Sequence, residues 1–157
     1  MINKAPVKVF KTDKTLAILS KENFIKRAKD FWGDNVVCIS IRNPETEALD
    51  LDFFYGFKAY LTVDFYDTEE GDPYPWISDE KAEIIRNFIL KNKECKFVLH
   101  CDAGQSRSAG VGKAVECLTL FDGNVYNYRT SNSDINEDFG FFPNRTVFDK
   151  IVAKPKA

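Results

Sequence analysis

The sequence predicts an α/β fold: a small, mainly parallel central sheet flanked by helices. Three observations lead there. Residues 36–41 and 97–99 are short apolar runs, the pattern of strands buried on both faces. Stretches with apolar residues at helical spacing lie between and after them, so strand and helix patterns alternate along the chain. The chain has 157 residues, 44% of them hydrophobic and 14% aromatic, which suits one domain with a substantial core over residues 1–157.

Each element has its own signal. Residues 7–10 and 16–19 are short strand candidates. Ser20 follows as a helix N-cap, Phe24, Ala28, Phe31 and Trp32 recur at helical spacing, and Gly33 is read as the stop. The strand at 36–41 is broken by Arg42-Asn43-Pro44-Glu45. Asp50 and Asp52 fall in an acidic, aromatic connection; carboxylates alone set no ligand spacing, a solvated loop explains them, and no metal site is expected. Phe57, Ala59, Leu61, Val63 and Phe65 alternate with polar neighbours, a period-two strand with these five on one side. An acidic loop over 66–76 carries two prolines. Ser78 caps the next helix, with Asp79 and Glu80 favourable in its first turn and Ala82, Ile85, Phe88 and Ile89 as its apolar face, ending near Asn92. After the strand at 97–99 and a short loop comes a helix with Val111, Ala114, Val115 and Leu118 on one face and Gly110 and Gly112 allowing close packing; Gly123 follows it. Residues 126–142 are turn-rich and aromatic and are read as irregular. Asn144 caps a last helix with Val147, Phe148, Ile151 and Val152 inward.

The chemistry concentrates at the strand–loop–helix junction His100-Cys101-Asp102-Ala103-Gly104-Gln105-Ser106-Arg107-Ser108. Five residues between Cys101 and Arg107 are enough to curl the backbone into a ring. Ala103, Gly104 and Ser106 are small, so the amides of residues 102–106 can turn inward and, with the first turn of the following helix, cradle an anion. Arg107 adds a planar, two-pronged donor for phosphate oxygens. A thiol at Cys101 lies in the same positive field, which lowers cysteine pKa values from about 8.5 to roughly 3.5–7.5. Phosphate site and thiolate therefore coincide, and attack of sulfur on phosphorus would give a cysteinyl-phosphate that water releases. Cys38, Cys95 and Cys117 have no charged loop after them and read as small buried hydrophobes.

His-Cys-x5-Arg-Ser resembles the signature of the protein tyrosine phosphatase superfamily, and the form present here is most similar to its dual-specificity branch. The resemblance covers the chain best from about residue 36 to 120, and more loosely through Pro143-Asn144. It implies a short central sheet with the signature loop feeding a helix, and a phosphatase acting on phosphotyrosine and also on phosphoserine or phosphothreonine, with no cofactor.

Such a reaction needs a carboxylic acid to protonate the leaving oxygen. Asp64, Asp67, Glu69, Glu70 and Asp72 are candidates. Asp64 falls on the polar side of a strand, whereas Asp67 lies just past the strand end. In dual-specificity phosphatases the acid occupies this loop, and Tyr66-Asp67-Thr68 matches the place; Asp72 is the next choice. The resemblance gives Ser108 the role of stabilising the sulfur as it leaves; the bare sequence also fits a helix first-turn residue. His100 cannot act as the base of Cys101, because adjacent residues leaving a strand point to opposite sides; it is expected to bond backbone. Asp102 puts negative charge beside an anion site and is expected to point away from it.

Composition limits the partners. With 22 basic and 24 acidic residues, net −2, the chain has no general attraction to nucleic acid or anionic membrane. No apolar run reaches about 18 residues, and the N-terminal stretch is polar without a signal-peptide core. Four irregularly spaced cysteines and a single histidine argue against a disulfide framework or a zinc site. A cytoplasmic monomer acting on a phosphorylated protein or peptide is expected. The signature loop lacks lysines, which ranks inositol lipids and RNA 5′-triphosphates lower. Two other readings use the same loop: a rhodanese- or arsenate-reductase-like transferase, and a phosphate-binding module with an idle site.

Overall fold

The computed structural model describes residues 13–154; the strand expected over residues 7–10 lies outside them. Four parallel strands form the sheet: β1 (Thr15–Leu19), β2 (Gly33–Arg42), β3 (Phe57–Asp64) and β4 (Lys96–His100), in the order β1-β4-β2-β3. The helices are α1 (Lys21–Arg27), α2 (Asp79–Lys91), α3 (Arg107–Leu120), α4 (Val125–Arg129) and α5 (Arg145–Val152).

Alternation along the central strands divides their side chains between two cores. Val37, Ile39, Ile41, Phe97 and Leu99 join α2, α3 and α5 on one face. Val36, Cys38 and Val98 join Phe24 of α1, Phe54 and Phe57 on the other. The parallel arrangement puts all strand C-termini on one edge, and the β4–α3 loop leaves from it between β1 and β2, where open α/β sheets place ligands.

Capping follows the sequence. Ser20, Ser78 and Asn144 each accept an N–H from the first turn of α1, α2 and α5. Four local readings are corrected. Helix α1 ends at Arg27, a 3-10 turn runs over Ala28–Phe31, and Gly33 opens β2 instead of stopping a helix. Phe57 packs with Phe24 and Phe54, on the opposite face from Val63 and Phe65. Helix α3 is buried nearly all round, including Glu116 and Cys117, because it lies between the sheet and α5. At Gly110 a Cβ would stand 2.7 Å from the Asn144 carbonyl oxygen, so the close approach to α5 requires glycine. Residues 126–142 are not irregular throughout: Asn124 caps α4, and a 3-10 turn spans Glu137–Phe139. A five-residue helix is too short to stand by itself. It is held by buried Tyr128, whose hydroxyl donates to Glu116 Oε1 at 2.7 Å, as does Ser133 Oγ at 2.7 Å.

Candidate active site

Cys101 follows the last residue of β4, residues 102–106 form a continuous bend, and α3 begins at Arg107. The loop's carbonyls are taken from outside the ring. Lys21 N–H donates to Asp102 O (3.0 Å), Phe142 N–H to Gln105 O (2.8 Å), and the N–H groups of Gly110 and Asn144 to Ser106 O (2.8 and 3.1 Å). Across a trans peptide, C=O and the next N–H point opposite ways. The amides of Ala103, Ser106 and Arg107 therefore face inward. Gly104 has φ +72, and a Cβ there would lie 2.5 Å from Ser20 N, so the turn against the β1–α1 junction admits glycine alone.

Cys101 is buried, and its Sγ lies 3.0 Å from Ser108 Oγ in the first turn of α3. Arg107 is 4% exposed. Its Nη1 donates to Asn43 Oδ1 (2.8 Å) and to Phe65 O (2.7 Å), which fixes the guanidinium plane from the β2 and β3 ends. Its Nε is buried without a hydrogen-bond partner among the described residues. A buried charged donor left without an acceptor is costly, so this atom fits an anion seated in the ring.

Asp102 turns toward Arg107: its Oδ2 lies 3.5 Å from Arg107 Nη2 and accepts from Asn43 Nδ2 at 3.2 Å. The carboxylate is drawn to the buried cation and stays partly exposed.

The acidic loop after β3 lies against the signature loop. Asp67 Oδ1 accepts from Ser106 Oγ (2.7 Å) and from Asn144 Nδ2 (2.9 Å). The other carboxylates are engaged elsewhere. Asp64 pairs with Lys81 at 3.4 Å, Glu69 Oε2 takes the Arg145 N–H at 3.0 Å, and Asp72 Oδ2 takes the Glu69 N–H at 2.7 Å. Glu70 contributes its backbone N–H to Thr146 Oγ1 at 2.8 Å. Asn144 thus joins three parts: it caps α5 through Val147 N–H (3.0 Å), holds Asp67 and the Thr68 carbonyl (3.0 Å), and donates its own N–H to the signature loop. Sequence reading saw the cap alone. The contacts of Asn43 and Asn144 bridge 64 and 77 positions, and no local pattern marks them.

His100 points to the opposite face from Cys101, stacked on Phe24 with ring centroids 4.3 Å apart. Its Nδ1 lies 3.3 Å from the Cys101 carbonyl, which can only accept, so Nδ1 carries the proton and Nε2 accepts from Ser40 Oγ at 2.6 Å. Burial lowers its pKa from 6.5 to about 4, against the opposing pull of the Cys101 carbonyl. The ring is neutral. Burial also pushes the Cys38 and Cys117 thiols up, and all four cysteines are free. Among the described residues, Asp50 and Asp52 join no group of three side chains able to hold a metal.

No family model matches the sequence, and no curated protein matches it. Solved structures do match. PTPMT1 in complex with PI(5)P superposes with a TM-score of 0.52 over 92% of each chain, at 13% identity. The chain shares the fold of that protein. Human tyrosine phosphatase-like serine/threonine/tyrosine-interacting protein (TM-score 0.48, 19% identity, 84% of this chain and 82% of that) and human DUSP28 (0.45, 15%, 84% and 81%) are further matches. At these identities the likeness concerns the fold. The phosphatase-fold sheet here is parallel in all four strands, where the sequence predicted a mainly parallel one.

Proposed function

We propose that the chain is a single-domain, cysteine-dependent phosphomonoester hydrolase of the protein tyrosine and dual-specificity type. The observation that carries this reading is the buried Cys101 sulfur, 3.0 Å from the Ser108 hydroxyl, at one end of a bent loop whose other end is the buried Arg107 with its unpartnered Nε.

The reading gives each residue a role, which the geometry supports. A phosphoryl group binds in the ring on the amides of residues 102–106 and on Arg107, which shares its charge across two oxygens. The Cys101 thiolate attacks phosphorus, forming the S–P bond as the bond to the leaving oxygen breaks. Asp67 gives its proton to that oxygen. Asp67, now ionised, takes a proton from water, whose oxygen attacks phosphorus. The S–P bond breaks, phosphate leaves, and Ser108 donates its hydroxyl hydrogen bond to the departing sulfur. Ser106 and Asn144 position Asp67 for both steps.

A phosphorylated protein or peptide is the substrate class. Phe142 is 58% exposed and its N–H donates to the Gln105 carbonyl, so an exposed aromatic residue adjoins the signature loop. Among the described residues no helix is long and apolar enough to cross a membrane. An ionisable catalytic thiol with free cysteines requires a reducing compartment, and the cytoplasm supplies one. We assign the chain as a monomer that needs no cofactor.

Aryl-phosphate hydrolysis by wild type, Cys101→Ser and Asp67→Ala across pH tests this function. The reading expects turnover by wild type, none by Cys101→Ser, and a slow Asp67→Ala enzyme. Turnover of thiosulfate or arsenate in place of aryl phosphate would establish the transferase alternative. Stable phosphopeptide binding with no hydrolysis would establish an idle module.

A further inference from the structure

A second concavity, of about 540 Å³, lies outside the ring and is lined by Lys113, Arg129, Pro143, Arg145, Phe148 and Asp149. Three cations face one carboxylate there. Asp149 is already committed to Arg129, at 3.5 Å. Among the described residues no carboxylate lies in ion-pair range of Lys113 or of the Arg145 guanidinium. Glu116, one turn along α3 from Lys113, is buried and receives the hydroxyls of Tyr128 and Ser133.

Lys113 is half-buried, with its ammonium 5.8 Å from the ring centroids of both Tyr128 and Phe148. The two aromatic rings hold the cation where it lines the concavity and strip part of its water. Burial brings its ammonium below the usual lysine range; Glu116 opposes this, and Arg129 and Arg145 add to it. Like charges held together at a partly desolvated point raise the energy of the empty concavity, and a multiply charged anion lowers it. In a chain of net charge −2 this concentration is local.

We propose that Lys113, Arg129 and Arg145 form a second binding site for a phosphoryl-type dianion, distinct from the ring of residues 101–107. The guanidinium planes of Arg129 and Arg145 suit tetrahedral oxyanions, and Lys113 supplies a point charge beneath them. The two sites share a wall. Residues 142–144 bond to the Gln105 and Ser106 carbonyls on one side, while Pro143 and Arg145 line the concavity on the other. Two sources present this chemistry: free inorganic phosphate, and a second phosphoryl group on a doubly phosphorylated substrate.

Titration of the 15N-labelled chain with inorganic phosphate separates the two sites without any need for turnover. Two sets of amide shifts are expected, one over residues 101–107 and one over Lys113, Arg129 and residues 145–148. In Arg145→Gln and in Lys113→Gln the second set weakens at least about fivefold while the first is unchanged. Arg145 is exposed, so its substitution leaves the fold intact. Comparison of singly and doubly phosphorylated peptides then identifies the source. A lower KM for the doubly phosphorylated peptide, abolished by Arg145→Gln, assigns the site to substrate; equal KM values with phosphate shifts retained assign it to free phosphate. A titration showing shifts over residues 101–107 alone, or a second set that survives both substitutions, overturns the proposal. Absence of turnover with both sets present would instead overturn the hydrolase reading and leave this one standing.

Discussion

Acidification from pH 7.5 to 4.5 should remove roughly 3 kcal/mol of stability through His100 alone. The ring is 2% exposed, stacked on Phe24, and bonded on both nitrogens as a neutral imidazole. Its pKa is about 4 in the fold against 6.5 for the free side chain. The folded value is depressed, so between these limits the unfolded chain holds a proton that the folded chain does not. The contribution is complete above pH 6.5 and is lost as pH falls toward 4. At about 1.4 kcal/mol per pH unit over that window, the loss reaches roughly 3 kcal/mol, a large part of a typical 5–15 kcal/mol total. Carboxylates add their own acid dependence, and His100→Gln separates the two. Urea unfolding at both pH values should show wild type losing roughly 3 kcal/mol more than His100→Gln. As the chain has one histidine, its C2–H proton resonance reports the same ring directly. Titration of that resonance near 6.5 in the folded protein, or equal losses in the two chains, would refute the argument.

Asp67→Ala should lower kcat by about 10²–10⁴, most for poor leaving groups, whereas Asp72→Ala should stay close to wild type because that carboxylate only closes its own turn; steady-state rates over a series of aryl phosphates decide between them. Asn144→Ala removes the α5 cap and the Asp67 support together, so it should cost about 1–2 kcal/mol in urea unfolding and reproduce part of the Asp67 leaving-group dependence. Asp102→Asn removes a partly exposed negative charge from beside Arg107. A unit charge and a dianion about 6 Å apart in a water-like dielectric repel by roughly 1.4 kcal/mol, so inorganic phosphate should inhibit the variant about tenfold more tightly.

The site was legible where it is local. Cys101, Gly104, Arg107 and Ser108 sit within one strand–loop–helix junction, and their spacing fixes what the backbone can do. Asp67 was legible at one remove, since the end of an alternating strand marks where a mobile acid can stand. Asn43 and Asn144 were not, because what they hold is set by how β2 and α5 pack on the loop. The turn of Asp102 toward Arg107 has the same origin: the guanidinium is pinned by Asn43 and by the Phe65 carbonyl, and the carboxylate follows it. In the fold, the sheet strands and capped helices announced themselves through periodicity and Ser20, Ser78 and Asn144. Helix α4 did not, since its stability comes from a buried tyrosine–glutamate bond and not from its own five residues. Phe57, at the first position of β3, joins the Phe24 and Phe54 core instead, and alternation alone does not mark that.

The central claim is that the sulfur of Cys101, held beside Ser108, becomes bonded to phosphorus. Rapid-quench mass spectrometry of Ser108→Ala during aryl-phosphate turnover tests it most directly, because loss of that hydroxyl should slow release of the sulfur and let the intermediate accumulate. The account predicts a phosphoryl adduct on the peptide carrying Cys101, absent in Cys101→Ser. Hydrolysis that persists in Cys101→Ser, or an adduct on any other residue, would contradict it.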